Sequence, residues 1–254
     1  VAKWIWLVLL MSIPLLGRAE PATVRVVSKE WADYTNADGT GLAWDLLRAI
    51  FEPAGYRVQP RTDLYVRSLG LVREGHADIW VGSYQKEREG LYPRWNYDID
   101  HIYALRASGK PAPDRGRLGD YRLAWVYGYE LQRYLPGVRS FQEVQRRTGI
   151  LQMLDKGRID YYVDALSEID VILQAAANPQ DYRLSHLAEL PLYLGFANTA
   201  DGQRLREVFD RRMDELVPAG ALRPIFGRWR QPYPFEGAAR PGSSASIGVP
   251  NNLE

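Results

Sequence analysis

The chain writes nearly the same phrase twice. REGHADIWVGS, residues 73–83, and DKGRIDYYVDA, residues 155–165, each run from a charged helix end through a glycine to an aspartate and an apolar strand. Gly75 aligns with Gly157, Asp78 with Asp160, Trp80 with Tyr162 and Val81 with Val163, a constant offset of 82 residues. Two copies are too few for a solenoid, whose units must stack at least three deep to bury a core. They fit two similar βα units, each with its own small sheet. Helix–glycine–strand is also a common unit, so the match by itself leaves coincidence open.

The flanking sequence supports the pairing. VRVVS (24–28) reads as a buried β-branched strand, and NADGTG (36–41) is turn chemistry. Leu42, Leu46, Ile50 and Phe51 then recur at helical spacing until Pro53 and Gly55. YRVQP (56–60) is a second strand, a helix over about 65–74 ends at Gly75, and ADIWVGS (77–83) and HIYALRA (101–107) are further strands. SGKPAPDRGRLGD (108–120) is the sharpest break in composition and reads as a boundary. The rhythm then restarts with strand YRLAWVY (121–127). Ser140 and Glu143 have capping-box spacing for a helix carrying Phe141, Val144, Thr148, Leu151 and Leu154. Strand IDYYVDA (159–165), a helix over 166–177, strand-like stretches at 182–187 and 192–198, and two closing helices complete the pattern. Alternating strands and helices predict α/β layers with largely parallel sheets.

The ends and the composition narrow the function. Basic Lys3, an apolar run from Trp4 to Leu16 and small residues Gly17 and Ala19 have the layout of an export signal at 1–19, cut between Ala19 and Glu20. The run falls short of the roughly 20 residues a spanning helix needs. From Gly237 onward the sequence is small, polar and aperiodic, and the tail at 236–254 is expected to be disordered. The chain has no cysteine, which removes a lipidated anchor, disulfides, thiol nucleophiles and Cys-zinc sites. Its 32 basic and 31 acidic residues become 30 against 31 without Lys3 and Arg18, a balance that favours neither nucleic acid nor an anionic membrane surface. His76, His101 and His186 lie on three different elements without metal-ligand spacing and read as ordinary polar residues. No nucleophile elbow or phosphate loop occurs, and neither metal nor cofactor is expected.

In open α/β sheets ligands gather beyond the carboxyl ends of the strands. There the first unit carries Ser83, Tyr84 and, in the loop, Arg88; the second carries Asp164, with Glu168 and Asp170 downstream. If those edges face each other, a guanidinium and a carboxylate line one cleft and complement an α-amino acid. Trp44 and Trp80 read as core, and Asp78 and Asp160 as turn-holding residues. Trp31 and Tyr34, in a polar turn region, have less reason to be buried.

The element order, SYQKERE after the third strand, GRIDYYVDA, and the closing LREVFDRRMDELVPAGALRPIFGRW resemble the family 3 extracytoplasmic solute-binding proteins, the amino-acid-type members of the type II periplasmic binding fold. The resemblance covers about residues 23–235. It implies an α/β protein of two lobes, each a small mixed sheet flanked by helices, with lobe 1 at 22–107 plus 192–235 and lobe 2 at 108–191. It places Arg88 on the ligand carboxylate, Ser83 and Tyr84 as hydrogen-bonding neighbours, Trp31 or Tyr34 over the ligand, and Asp164 on its ammonium. Asp164 falls one residue short of the family's usual spacing, where Ala165 stands, and it also has the position of an N-cap. Arg67 sits where members often carry an arginine. The implied function is a periplasmic, monomeric, non-anchored binding protein that serves an ABC permease or a membrane sensor. The alternative is a periplasmic enzyme of cyclohexadienyl dehydratase type, with Glu168 or His101 as acid or base.

Overall fold

A computed structural model describes residues 20–85 and 90–236. The expected signal at 1–19, the loop residue Arg88 and the tail beyond Glu236 lie outside the described residues.

Eight strands form one mixed sheet. They are β1 (Ala22–Ser28), β2 (Tyr56–Thr62), β3 (Ile79–Tyr84), β4 (Asp98–Ala107), β5 (Leu123–Val126), β6 (Phe141–Val144), β7 (Tyr161–Ala165) and β8 (Tyr182–Phe196), in the order β2-β1-β3-β8-β4-β7-β5-β6. The helices are α1 (Leu42–Phe51), α2 (Tyr65–Arg73), α3 (Ile150–Asp155), α4 (Leu166–Gln174), α5 (Ala200–Leu216) and α6 (Arg223–Arg228). Among the described residues no helix is long and apolar enough to cross a membrane.

The repeated phrase marks a repeat in three dimensions. β1 lies parallel between β2 and β3, and β5 lies parallel between β6 and β7. Each helix before the repeated strand ends in the same way. The N–H of Gly75 donates to the carbonyl of Val72 and that of His76 to Leu71; Gly157 donates to Leu154 and Arg158 to Met153. This double closure turns through a left-handed residue, and both glycines have positive φ, 78° and 59°. The aspartates then tie the third strand of each half to the first. Asp78 accepts the Arg25 backbone N–H at 2.8 Å and two bonds from its guanidinium, while Asp160 accepts the same three from Arg122, the backbone one at 2.7 Å. Arg122 and Lys110 hold the Asp160 carboxyl well below the usual carboxylate range.

Strand alternation gives each half two apolar layers. Val24, Val26, Ile79 and Val81 pack with α1, α5 and α6 through Trp44, Phe51, Phe209 and Phe226, while Val27 and Trp80 face the opposite layer with Val72. In the other half Leu123, Trp125, Tyr161 and Val163 form one layer, and Ala124 and Tyr162 join Ile150, Ile169 and Ile172 in the other.

Three expectations change. The sheets are joined into one, because β4 and β8 pair antiparallel from Asp98–Leu192 to Ala107–Tyr182. The two strand-like stretches after residue 182 are therefore one 15-residue strand, with Pro191 just past the last residue pairing with β3, where its missing N–H breaks no bond on that side. The helix expected from Ser140 is instead the edge strand β6, followed by the short α3. Its residues are mostly exposed, so they carry no alternation to read, and Glu143 accepts the Gly128 N–H at 3.1 Å instead of closing a capping box.

Candidate functional site

The carboxyl ends of β1, β3, β5 and β7 converge on a narrow cavity of about 40 Å³. Its walls include Lys29 and Trp31 after β1, Gly82 and Tyr84 on β3, Asp100 on β4, Tyr129 after β5, Asp164 at the end of β7 and Glu168 in the first turn of α4. The parallel topology of each half puts these strand ends on one side.

A charge network crosses the cavity from one half to the other. Lys29 Nζ, after β1, pairs with Glu168 on α4 and donates to the Tyr129 hydroxyl at 2.5 Å. Arg147, three residues beyond β6, donates to Asp164 at 2.8 Å and to Tyr129 at 2.9 Å, and its Nη1 lies 3.3 Å from Glu168. Burial opposes the Lys29 charge, but the Tyr129 oxygen and the Glu168 carboxylate outweigh it and raise its pKa. Burial likewise opposes the Arg147 charge, and Asp164, Tyr129 and Glu168 override it.

Asp100 behaves differently. Desolvation pushes its carboxyl up to about 7 against the Tyr84 hydroxyl, which donates to it at 2.8 Å; Asp164 and Glu168 add to the rise and Lys29 reduces it. Among the described residues the cavity and the network beside it thus set three acids against two cations, with the Asp100 carboxyl raised toward neutrality.

Of the residues singled out in the sequence, Trp31, Tyr84, Asp164 and Glu168 line the cavity. Trp31 and Tyr34 are both buried, because the turn between them is tight: Asp33 takes a left-handed φ of 64°, and the two rings stack 4.0 Å apart at 8°. Tyr34 supports Trp31 from the core side, and Trp31 Nε1 donates to Ser167 of the other half at 3.0 Å. Ser83 is buried beside the cavity and bonds the Tyr84 carbonyl at 3.1 Å and the Tyr92 hydroxyl at 3.2 Å. Asp164 accepts from Arg147, from Tyr162 and from the Ala165 N–H; α4 begins from Ala165 with no side-chain cap. Arg67 pairs with Asp63 at 3.4 Å on the surface. His101 lies next to Asp100 on β4 and so faces the other side of the sheet.

Lys29, Asp100, Tyr129 and Arg147 were not singled out from sequence. Lys29 and Tyr129 had a usable signal, since Lys29 directly follows β1 and Tyr129 lies three residues past β5, strands whose carboxyl ends belong to site edges. Arg147 lay hidden inside the expected helix.

No protein-family model matches the chain, and no curated protein does. Solved structures match across most of it. An ancestral arginine-binding protein bound to arginine is 15% identical with a TM-score of 0.64, covering 83% of this chain and 99% of that one. An ABC uptake transporter substrate-binding protein from Streptococcus pneumoniae with bound histidine is 15% identical at 0.63, covering 82% and 92%. A histidine kinase sensor domain with similarity to periplasmic binding proteins is 19% identical at 0.64, covering 84% and 97%. The chain shares its fold with amino-acid-binding proteins of ABC transporters, at low sequence identity.

Proposed function

We propose that the protein is exported and captures a small polar ligand, an amino acid or a related carboxylate or amine, between two lobes. The observation that carries this reading is a cavity on which strand ends of both halves converge, walled by charges of both signs under an indole ring. Residues 22–107 with 192–235 form one lobe and 108–191 the other, and β4 and β8 pass between them as the hinge. Lys29–Glu168 and Trp31–Ser167 then act as a latch that closes the lobes and that ligand must share or displace. The surplus acid suits a ligand ammonium beside Asp100 and Asp164. Arg88, four residues past the end of β3, supplies the clamp for a carboxylate, with Ser83 and Tyr84 flanking it.

Two charge-assisted contacts contribute roughly 1.5–3 kcal/mol each, against the roughly 8 kcal/mol of a micromolar complex. Packing under Trp31 and exclusion of water supply the remainder. Closure would present a surface to a membrane permease or a membrane sensor. A thermal-shift screen of amino acids, amines and small organic acids tests the reading. A ligand at one hundred times its dissociation constant adds about 2.7 kcal/mol, a rise of roughly 5–11 °C for a domain of this size. Arg88→Ala removes the shift for carboxylate ligands and leaves the apo midpoint unchanged; a collapsed apo midpoint would make the arginine structural.

One observation favours a second reading. A carboxyl titrating near 7 beside the Tyr84 hydroxyl is poised for acid–base work, as a dehydratase of cyclohexadienyl type requires. Turnover of prephenate-like acids by the purified protein, lost in Asp100→Asn, would establish it; no product after prolonged incubation would remove it.

A further inference from the structure

The ladder between β4 and β8 slips by one residue. Ile102 pairs with Ala188, but Tyr103 pairs with His186, so Leu187 is the extra residue of a bulge. In a regular strand His186 and Glu189, three apart, would point to opposite faces; one inserted residue returns them to the same face. His101 pairs directly with Glu189, and the Tyr103 ring packs edge-on against His186 at 5.2 Å. His101 Nδ1 lies 3.6 Å from Glu189 Oε1. His101, His186 and Glu189 each bring one ligand atom within 4.8 Å of the others, and none of the three lines the cavity.

We propose that His101, His186 and Glu189 form a binding site for a divalent transition-metal ion of the zinc type. Donor atoms around a tetrahedral zinc ion sit roughly 3.3 Å apart, so small side-chain rotations bring the three into place. Two imidazoles and one carboxylate suit zinc, nickel or copper, whereas magnesium and calcium prefer all-oxygen shells. Three protein ligands leave a fourth position for water or an anion. Burial and the Arg115 guanidinium, with its Nη2 3.3 Å from Nδ1, hold His186 below its ordinary pKa; Glu189 acts in the opposite sense and His101 in the same one. Arg115 takes Nδ1 of His186, whereas the imidazole Nε2 is buried without a hydrogen-bond partner among the described residues and is the nitrogen left for a metal.

Zinc titration of the full, untagged chain by calorimetry at pH 7.5, with magnesium as the control ion, tests the site. One zinc ion per chain is expected, and no heat from magnesium. His101→Ala and His186→Ala each weaken binding by roughly tenfold or more, while His76→Ala, which alters the third histidine of the sequence, leaves it unchanged. Cobalt substitution adds a visible absorption band that disappears in the two histidine variants, with far-UV circular dichroism of each apo variant verifying the fold. His101→Gln serves if the alanine variant misfolds. Zinc bound equally by wild type and both histidine variants, or lost in His76→Ala, would overturn the assignment.

Discussion

Replacing Asp100 by asparagine should make the apo protein less sensitive to pH. The native carboxyl is pushed up to about 7 by desolvation, whereas an unfolded aspartate titrates near 3.9. Between those values the folded state holds a proton that the unfolded state has released, so stability falls as pH rises through that window. At 1.36 kcal/mol per pH unit, the loss attributable to this group is about 1 kcal/mol at pH 4.5 and about 4 kcal/mol at pH 8. Asp100 is only partly buried on the cavity wall, and solvent there trims the difference. Asparagine keeps an oxygen to accept the Tyr84 hydroxyl but carries no charge. Urea unfolding of wild type and Asp100→Asn at pH 4.5 and pH 8 reads the effect; the buried Asp98, raised to about 8 chiefly by desolvation, stays in both proteins and loses only its smaller coulombic contribution from Asp100, which acts in the same direction. The stability gap in favour of the variant is expected to widen by up to about 3 kcal/mol between the two pH values. Curves that stay parallel would refute the desolvated carboxyl and the charge inventory of the cavity with it.

The latch should respond asymmetrically. Glu168→Gln removes the carboxylate paired with Lys29, leaving it the Tyr129 hydroxyl and the more distant Asp164 and Asp100, and costs about 3 kcal/mol. Lys29→Met costs less, since Arg147 stays on Glu168; an equal or reversed order in urea midpoints would contradict the network. Asp160→Asn should lose about 1–3 kcal/mol at neutral pH. Because its folded pKa is depressed, that contribution exists above the unfolded value near 4 and vanishes as pH falls through the lower folded one. A gap that persists unchanged at pH 2 would argue against it. Binding of an amine near Asp100 should lower that group's pKa and release about half a proton at pH 7, read as a buffer-dependent calorimetric heat; equal heats in phosphate and Tris would exclude the contact.

Much of this architecture was legible because it is local. Gly75 and Gly157 announce two helix ends that close with identical hydrogen bonds, and each aspartate three residues later holds a strand turn as read. Trp44 and Trp80 sit in the core as their patterns indicate. What stayed hidden depends on register or exposure. β6 is an edge strand whose residues face solvent, so its pattern mimics a helix, and Arg147 went unseen with it. The union of the two sheets follows from the β4–β8 pairing, and so does the meeting of His101 with His186, 85 positions apart in sequence. Trp31 and Tyr34 were read as loosely placed because their turn is polar; ring stacking buries them regardless.

The most direct test of the central claim is a crystal structure of the protein with the strongest ligand from the thermal screen. Density for that ligand is expected between Trp31, Tyr84, Asp100 and Asp164, its carboxylate on Arg88 and its amine on the acids. A ligand seated outside that cavity, or touching one half alone, would contradict capture between the two.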